Sequence, residues 1–418
     1  MRILKKMFRY ALYLLFRPVW WLERLVPRDR KSWVFGAWYG QRYSDNSKWL
    51  FEHVLEHHPE IRATWITKSR SVYDRLRTEG KPVCMSASPM GVWRCLRAKY
   101  AFLSSGLMDM NFFFLNGARQ VWLWHGMPLK KIGYCDDSAG SRPSPLRRRL
   151  SALLNPYSQH RPHCTLTSAD FFTPFLQEAF RLPRGRVWAT GLPRCDAFFR
   201  TGDERLVSSL RERFPASRVL LYMPTFRMSS RMDGEPFNPF AVEFGFDGAE
   251  FIRFLERENL VFLYKPHFVD SAARVSMPSE RFMCVGDDDF GDLYVLLGSV
   301  DALMTDYSSV YFDFLAARKP VYLLTFDYDR YIRDSRAHFF DMRSEMHGTF
   351  CLSWQDFYAK SADGASDVAG LEEDRKKFAQ YLDGSCCENV VKRILAECAN
   401  PARWKTIFLF CVKSGLEL

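Results

Sequence analysis

Short apolar runs alternate with helix-period patterns along most of the chain, and this alternation restricts the fold more than any other feature. Strand candidates in the first half are Trp33–Ala37, Ala63–Ile66, Tyr100–Ser104, Val121–Trp124, Thr165–Thr167 and Val187–Thr190. The second half offers Val219–Met223, Val261–Tyr264, Met283–Val285, Ala302–Met304 and Val321–Leu324. Helical spacing falls between most of them, as in Ser47–His57, Ala249–Glu258 and Val310–Arg318. Strands alternating with helices predict parallel α/β architecture. Two such series predict two Rossmann-like, doubly wound domains facing a cleft. With 418 residues, 47% of them hydrophobic, the chain can give each domain its own core. Strand signals lapse and charges collect over 197–217, the expected linker. The expected division is a segment 1–31, domains 32–198 and 199–395, and a tail 396–418.

Ligands of open α/β sheets bind beyond the carboxyl ends of the strands. Trp122–Trp124 runs into His125-Gly126-Met127-Pro128-Leu129-Lys130, and Val219–Met223 into Pro224-Thr225-Phe226-Arg227. Leu260–Tyr264 runs into Lys265-Pro266-His267, and Asp301–Met304 into Thr305-Asp306-Tyr307-Ser308-Ser309. The last ending reads as strand, polar turn and helix, with Pro320 as the stop. Hydroxyls and free N–H groups at a helix start suit an anion such as phosphate, although Ser and Asp also cap ordinary helices. Arg and Lys at such places fit a diphosphate. The run Asp287-Asp288-Asp289 invites a metal reading, but it precedes the helical pattern Leu293–Leu297, where acidic residues support a helix start. No metal is expected there.

The net charge is +11, and residues 1–31 hold nine basic residues against Glu23 and Asp29, which leaves +4 for the rest. Charge confined in this way does not describe a nucleic-acid coat, so no nucleic-acid partner is expected. On a helical wheel Arg2, Lys5, Lys6, Arg9, Arg17 and Arg24 share an arc of about 120°, opposite Ile3, Leu4, Met7, Phe8, Ala11, Leu14 and Leu15. The uncharged run Tyr10–Phe16 is too short to span a bilayer, Pro18 bends or ends the helix, and Trp20-Trp21 suit a headgroup zone. The expectation is an amphipathic helix lying in an anionic membrane surface, making the protein peripheral on the cytoplasmic face of the plasma membrane. The other reading is a helix docked on the protein's own core. The cluster Arg142 with Arg147-Arg148-Arg149, and the tail with Trp404 and Ile407–Val412, could face the same surface or not. Eleven cysteines without a CxxC pair point to reduced thiols in the cytosol.

Taken together, the strand endings resemble the CDP-glycerol glycerophosphotransferase family, the teichoic-acid and capsule polymerases and primases. That family's pattern is similar to His-Gly-Thr-Pro-Leu-Lys, Gly-x-Pro-Arg-x-Asp, Pro-Thr-Phe-Arg, Lys-Pro-His and Thr-Asp-Tyr-Ser-Ser with a following Phe-Asp. Here His125–Lys130, Gly191-Leu192-Pro193-Arg194-Cys195-Asp196, Pro224–Arg227, Lys265–His267 and Thr305–Ser309 with Phe312-Asp313 stand in that order. Ser44-Asp45-Asn46, and Lys319-Pro320-Val321 leading to Asp327–Tyr331, also look alike. The resemblance implies a GT-B-like fold and transfer of a polyol phosphate from CDP-glycerol or CDP-ribitol to a lipid-linked or polymeric acceptor, releasing CMP with no cofactor and no metal. It implies His125, from the first domain, as general base and His267 at the leaving phosphate, though which histidine is the base stays open. Thr225, Arg227, Lys265, Thr305, Ser308 and Ser309 would hold the donor diphosphate, supported by Gly126, Arg194, Asp196, Asp306 and Asp313. The alternatives are a sugar transferase of the same fold and a membrane-bound assembly protein with a relic nucleotide pocket. Met127 departs from the family's Thr, and Arg336–Asp341 departs from Arg-Gly-Phe-Tyr-Phe-Asp. The segment 136–163 also reads unlike the family core.

Overall fold

The computed structural model describes residues 11–12, 15–136, 161–183, 185–200, 202, 204–225, 227, 238–267, 275–334, 337–362 and 367–399. They fall into two compact units, one drawn from Met1–Trp124 with Ser385–Leu418, the other from His125–Gly384.

In the first unit, β1 (Asp29–Gly36), β2 (Arg62–Thr67), β3 (Val83–Met85), β4 (Ala98–Leu103) and β5 (Arg119–Trp122) run in the order β3-β2-β1-β4-β5. Every pair is parallel. Strands covered on both faces read as unbroken apolar runs, which is why the sequence located most of them. Trp33, Phe35, Tyr100 and Phe102 interleave at the centre, with the Phe35 and Phe102 rings stacked at 4.5 Å. β1 begins at Asp29 instead of Trp33, because pairing with Ala98 resumes across an irregularity.

Beside this sheet, Arg17–Leu22 is helical and Glu23–Leu25 a 3₁₀ turn. Pro18 lies in the first turn of that helix, where its missing N–H costs nothing. Glu23 is buried, accepting from Asn116 N at 2.8 Å, with Arg28 Nη2 3.3 Å from its other oxygen. The Phe16 ring lies 4.5 Å from that of Phe113. Around residues 16–25 the chain thus docks on its own unit. The amphipathic stretch 2–10, the cluster at Arg142 and Arg147–Arg149, and the tail 400–418 lie outside the described residues. Among the described residues, no helix is long and apolar enough to cross a membrane.

In the second unit β6 (Cys164–Thr167) and β7 (Val187–Ala189) pair parallel. A six-stranded sheet follows, built from β8 (Arg218–Met223), β9 (Leu260–Tyr264), β10 (Phe282–Cys284), β11 (Ala302–Thr305), β12 (Val321–Leu324) and β13 (Thr349–Cys351). Its order is β10-β9-β8-β11-β12-β13, with every pair parallel. One face packs on an aromatic cluster centred on Trp354, Phe251, Phe262 and Tyr222. The stretch 197–217, read as a linker, contains the helix Arg205–Arg213, which buries Val207 and Leu210. The charges that suggested a linker are that helix's outer face. Strand order reverses between β8 and β11, and such a switch point opens a crevice at the strand ends.

Candidate active site

Both strands at the switch point end in polar loops that bind each other. Thr225 N, just past β8, donates to the Asp306 carboxylate, just past β11, at 2.9 and 3.1 Å. Arg227 is buried and spends its guanidinium inside the protein. Nη2 reaches Asp306 Oδ2 at 2.8 Å, Nε reaches Asp327 Oδ2 at 2.8 Å, and Nη1 donates to Thr225 O at 2.6 Å. The two carboxylates push its pKa up despite the burial that opposes them. Tyr307 and Tyr331, stacked at 3.9 Å, lie under the guanidinium at 4.8 and 4.7 Å. Arg227 therefore braces the loops, where a donor-phosphate contact had been expected. Thr305 is similarly committed, its buried hydroxyl donating to Met223 O at 2.8 Å. The Thr225 hydroxyl is buried without a partner among the described residues.

Ser308 and Ser309 are the half-buried hydroxyls of this turn. Ser308 Oγ accepts from Val310 N at 3.3 Å. The helix that follows covers only Val310–Phe314 before tightening to a 3₁₀ turn at Leu315–Ala317.

Lys265 follows β9 and is buried, with Nζ 2.7 Å from Asp287 Oδ1. The first residue of the acidic run is thus a lysine's counter-ion. The helix Leu293–Ser299 is capped instead by Asp292, which accepts from Tyr294 N at 2.9 Å. His267 is half-buried beyond Lys265. Burial first, then the charges of Lys130 and Lys265, lower its pKa to about 4, with Asp306 acting in the opposite direction. The imidazole is neutral at neutral pH.

The His-Gly loop approaches the same turn. Trp124 takes a left-handed φ of 59° and Gly126 a φ of 152°. A Cβ on Gly126 would stand 2.5 Å from Ser309 Oγ, so only glycine allows this approach. His125 opens the second compact unit. Within the first unit, Asn46 Nδ2 donates to the carbonyls of Leu123 at 3.3 Å and Trp124 at 2.8 Å, fixing the approach to His125. Met127 is fully buried, and its sulfur accepts from the Thr167 hydroxyl at 3.8 Å, so its side chain points into the core. Arg194, buried, donates to Asp313 Oδ2 at 2.7 Å, and the Tyr294 hydroxyl joins the same oxygen at 2.9 Å. Asp196 is half-buried in the adjoining 3₁₀ turn Pro193–Phe199.

Two residues were given no role by the sequence reading. Lys130 ends the His-Gly motif, and its ammonium lies 5.1 Å from the Tyr331 ring. His338 pairs with Lys130 in an antiparallel bridge, flanked by Lys131 N to Ala337 O at 2.7 Å and Phe339 N to Leu129 O at 2.8 Å. Both His338 ring nitrogens are buried without partners among the described residues, and burial with Lys130 lowers its pKa to about 4. The segment noted for departing from the family pattern is therefore tied to the His-Gly loop. Lys130 was legible as the motif's last residue, whereas His338 had no signal beyond that departure.

Imidazoles, lysines and the Ser308 and Ser309 hydroxyls thus gather beyond the strand ends of a parallel sheet in an α/β protein. A family model described as CDP-Glycerol:Poly(glycerophosphate) glycerophosphotransferase matches residues 20–396, and the chain belongs to this family of transferases. It is 27% identical over 355 residues to the teichoic acid glycerol-phosphate transferase of Staphylococcus aureus, covering 82% of this chain and 85% of that one. Against the teichoic acid poly(glycerol phosphate) polymerase of Bacillus subtilis the identity is 24%, covering 80% of this chain but only 44% of the polymerase. A solved CDPG-soaked form of the wall teichoic acid polymerase TagF superposes with a TM-score of 0.72 at 20% identity, covering 94% of this chain and 97% of that one. This likeness extends the shared fold over both units.

Proposed function

We propose that this protein transfers a polyol phosphate, with glycerol phosphate the first candidate, from a CDP-polyol to a hydroxyl of a lipid-linked or polymeric acceptor. The acceptor oxygen attacks the phosphorus bearing the polyol. The bond from that phosphorus to the bridging oxygen breaks, and the bridging oxygen leaves with CMP. His125 takes the hydroxyl proton. Lys265, Ser308, Ser309 and the Thr225 hydroxyl hold the diphosphate charge, and His267 hydrogen-bonds the departing phosphate. Arg227 and Thr305 act one step back, by holding the loops. Catalysis of this kind is positioning plus charge stabilisation.

The observation that carries the reading is the contact of the Gly126 loop with Ser309, beside an imidazole that feels both Lys130 and Lys265. The relatives' names support polyol-phosphate chemistry. The test is incubation of purified protein with CDP-glycerol or CDP-ribitol and a lipid or polymer acceptor, with identification of the released nucleotide. His125→Ala and His267→Ala should each lower CMP release by about 10²–10⁴-fold while melting normally. Near-normal turnover in a folded variant removes that histidine from the scheme, and absence of CMP with either donor removes the scheme itself.

A further inference from the structure

The first unit gathers a second set of reactive side chains that the proposed transfer does not use. His53 lies near the carboxyl end of the helix Asp45–His57, and His58 is that helix's C-cap. Glu388 lies in the first turn of the helix Cys386–Ala399. His53 Nε2 is 3.1 Å from Glu388 Oε2, and His58 Nε2 is 3.2 Å from the same oxygen. The three ligand atoms all lie within 4.8 Å of one another.

These separations match a metal's coordination edges. Four ligands at about 2.0–2.1 Å from a tetrahedral ion stand about 3.3 Å apart. His58 leaves the helix with φ −131° and ψ 64°, so two histidines five positions apart converge on one point. Glu60 Oε1 sits 3.4 Å from His58 Nδ1, the place of the outer carboxylate that orients a ligand imidazole. Lys392 lies 3.5 Å from Glu388 Oε1, leaving Oε2 to the imidazoles. The three side chains keep between 15% and 31% exposure, so solvent can reach a fourth position.

We propose that His53, His58 and Glu388 bind one divalent transition-metal ion, zinc being the best match to two imidazoles and a carboxylate. The ion pins the helix Cys386–Ala399 to the helix Asp45–His57, a structural role independent of the transfer chemistry. Nothing in the spacing of these residues announced it, since Glu388 stands 335 positions from His53.

The test uses the full chain, stripped with chelator and dialysed. Zn²⁺ titration by calorimetry should give one site per chain, Co²⁺ should develop the visible absorption of a tetrahedral N/O site, and Zn²⁺ should raise the melting temperature. His53→Ala and the near-isosteric Glu388→Gln should each weaken binding at least about 100-fold, and Glu60→Gln about 10-fold. Circular dichroism of the metal-free variants checks their folding, and Glu388→Gln serves if His53→Ala fails to fold. No saturable Zn²⁺ binding overturns the proposal, and so does binding that survives intact in a folded Glu388→Gln or His53→Ala protein.

Discussion

His267 should titrate far below an ordinary histidine, and an occupied donor site should bring it back. Burial is the main cause, and the Lys130 and Lys265 charges add to it, moving the pKa from 6.5 to about 4. At 1.36 kcal/mol per unit that difference corresponds to about 3.4 kcal/mol, and screening of a half-exposed ring leaves about 1–3 kcal/mol. Between pH 6.5 and 4 the unfolded chain binds this proton and the folded protein does not. The neutral ring's contribution to stability is therefore complete above pH 6.5 and is lost as pH falls toward 4. Lys130→Met removes one of the two charges, worth about 1 kcal/mol at an effective dielectric between those of surface and bulk water. The pKa should rise by less than about one unit, because burial stays. A bound diphosphate reverses the sign of the local field and should raise it further. NMR titration of ¹⁵N-histidine-labelled protein, with and without CDP, follows the resonance that His267→Gln removes. A midpoint near 6.5 in the free protein, or no upward movement in either Lys130→Met or the CDP complex, refutes the reasoning.

Three further outcomes are expected. Gly126→Ala drives a methyl group into Ser309 Oγ, so it should cost about 1–3 kcal/mol in urea unfolding and depress CMP release more than its stability loss explains; wild-type turnover would mean the two loops do not meet. Arg227→Met leaves Asp306 and Asp327 without their buried counter-charge and should destabilise the protein by about 3–5 kcal/mol, whereas an unchanged urea midpoint would contradict the bracing role. Deleting residues 1–15 spares the Glu23 docking and should release the protein from anionic vesicles at an unchanged melting temperature; undiminished co-sedimentation would count against a membrane role for that segment.

The strands were legible because both faces of each parallel sheet are covered, and apolar runs at Val321–Leu324 and Leu260–Tyr264 leave little to interpret. Two escaped, Val83–Met85 and Thr349–Cys351, three residues each at sheet edges, although the equally short edge strands Val187–Ala189 and Phe282–Cys284 were read. The site's motifs were legible as residue types, but not the division of labour within them. Sequence spacing cannot tell Arg227, buried on two carboxylates, from a cation open to solvent. Nor can it tell Thr305, bonded to its neighbouring strand, from the accessible Ser308 and Ser309. Met127, noted only for departing from the family's Thr, turns its side chain into the core. Contacts such as Lys130 with His338 come from distant stretches and had no local mark.

The helix Cys386–Ala399 buries Val390, Val391 and Ile394 within a unit that otherwise ends at Trp124. Translation therefore delivers its last piece only after all of His125–Gly384 has emerged, a wait on the order of tens of seconds at about 5–20 residues per second. Through that interval the sheet made first stands incomplete on the ribosome, while the later-made unit can already close. A nascent chain stalled before residue 386 should thus hold a finished second unit and an amino-terminal unit still open to proteases and chaperones.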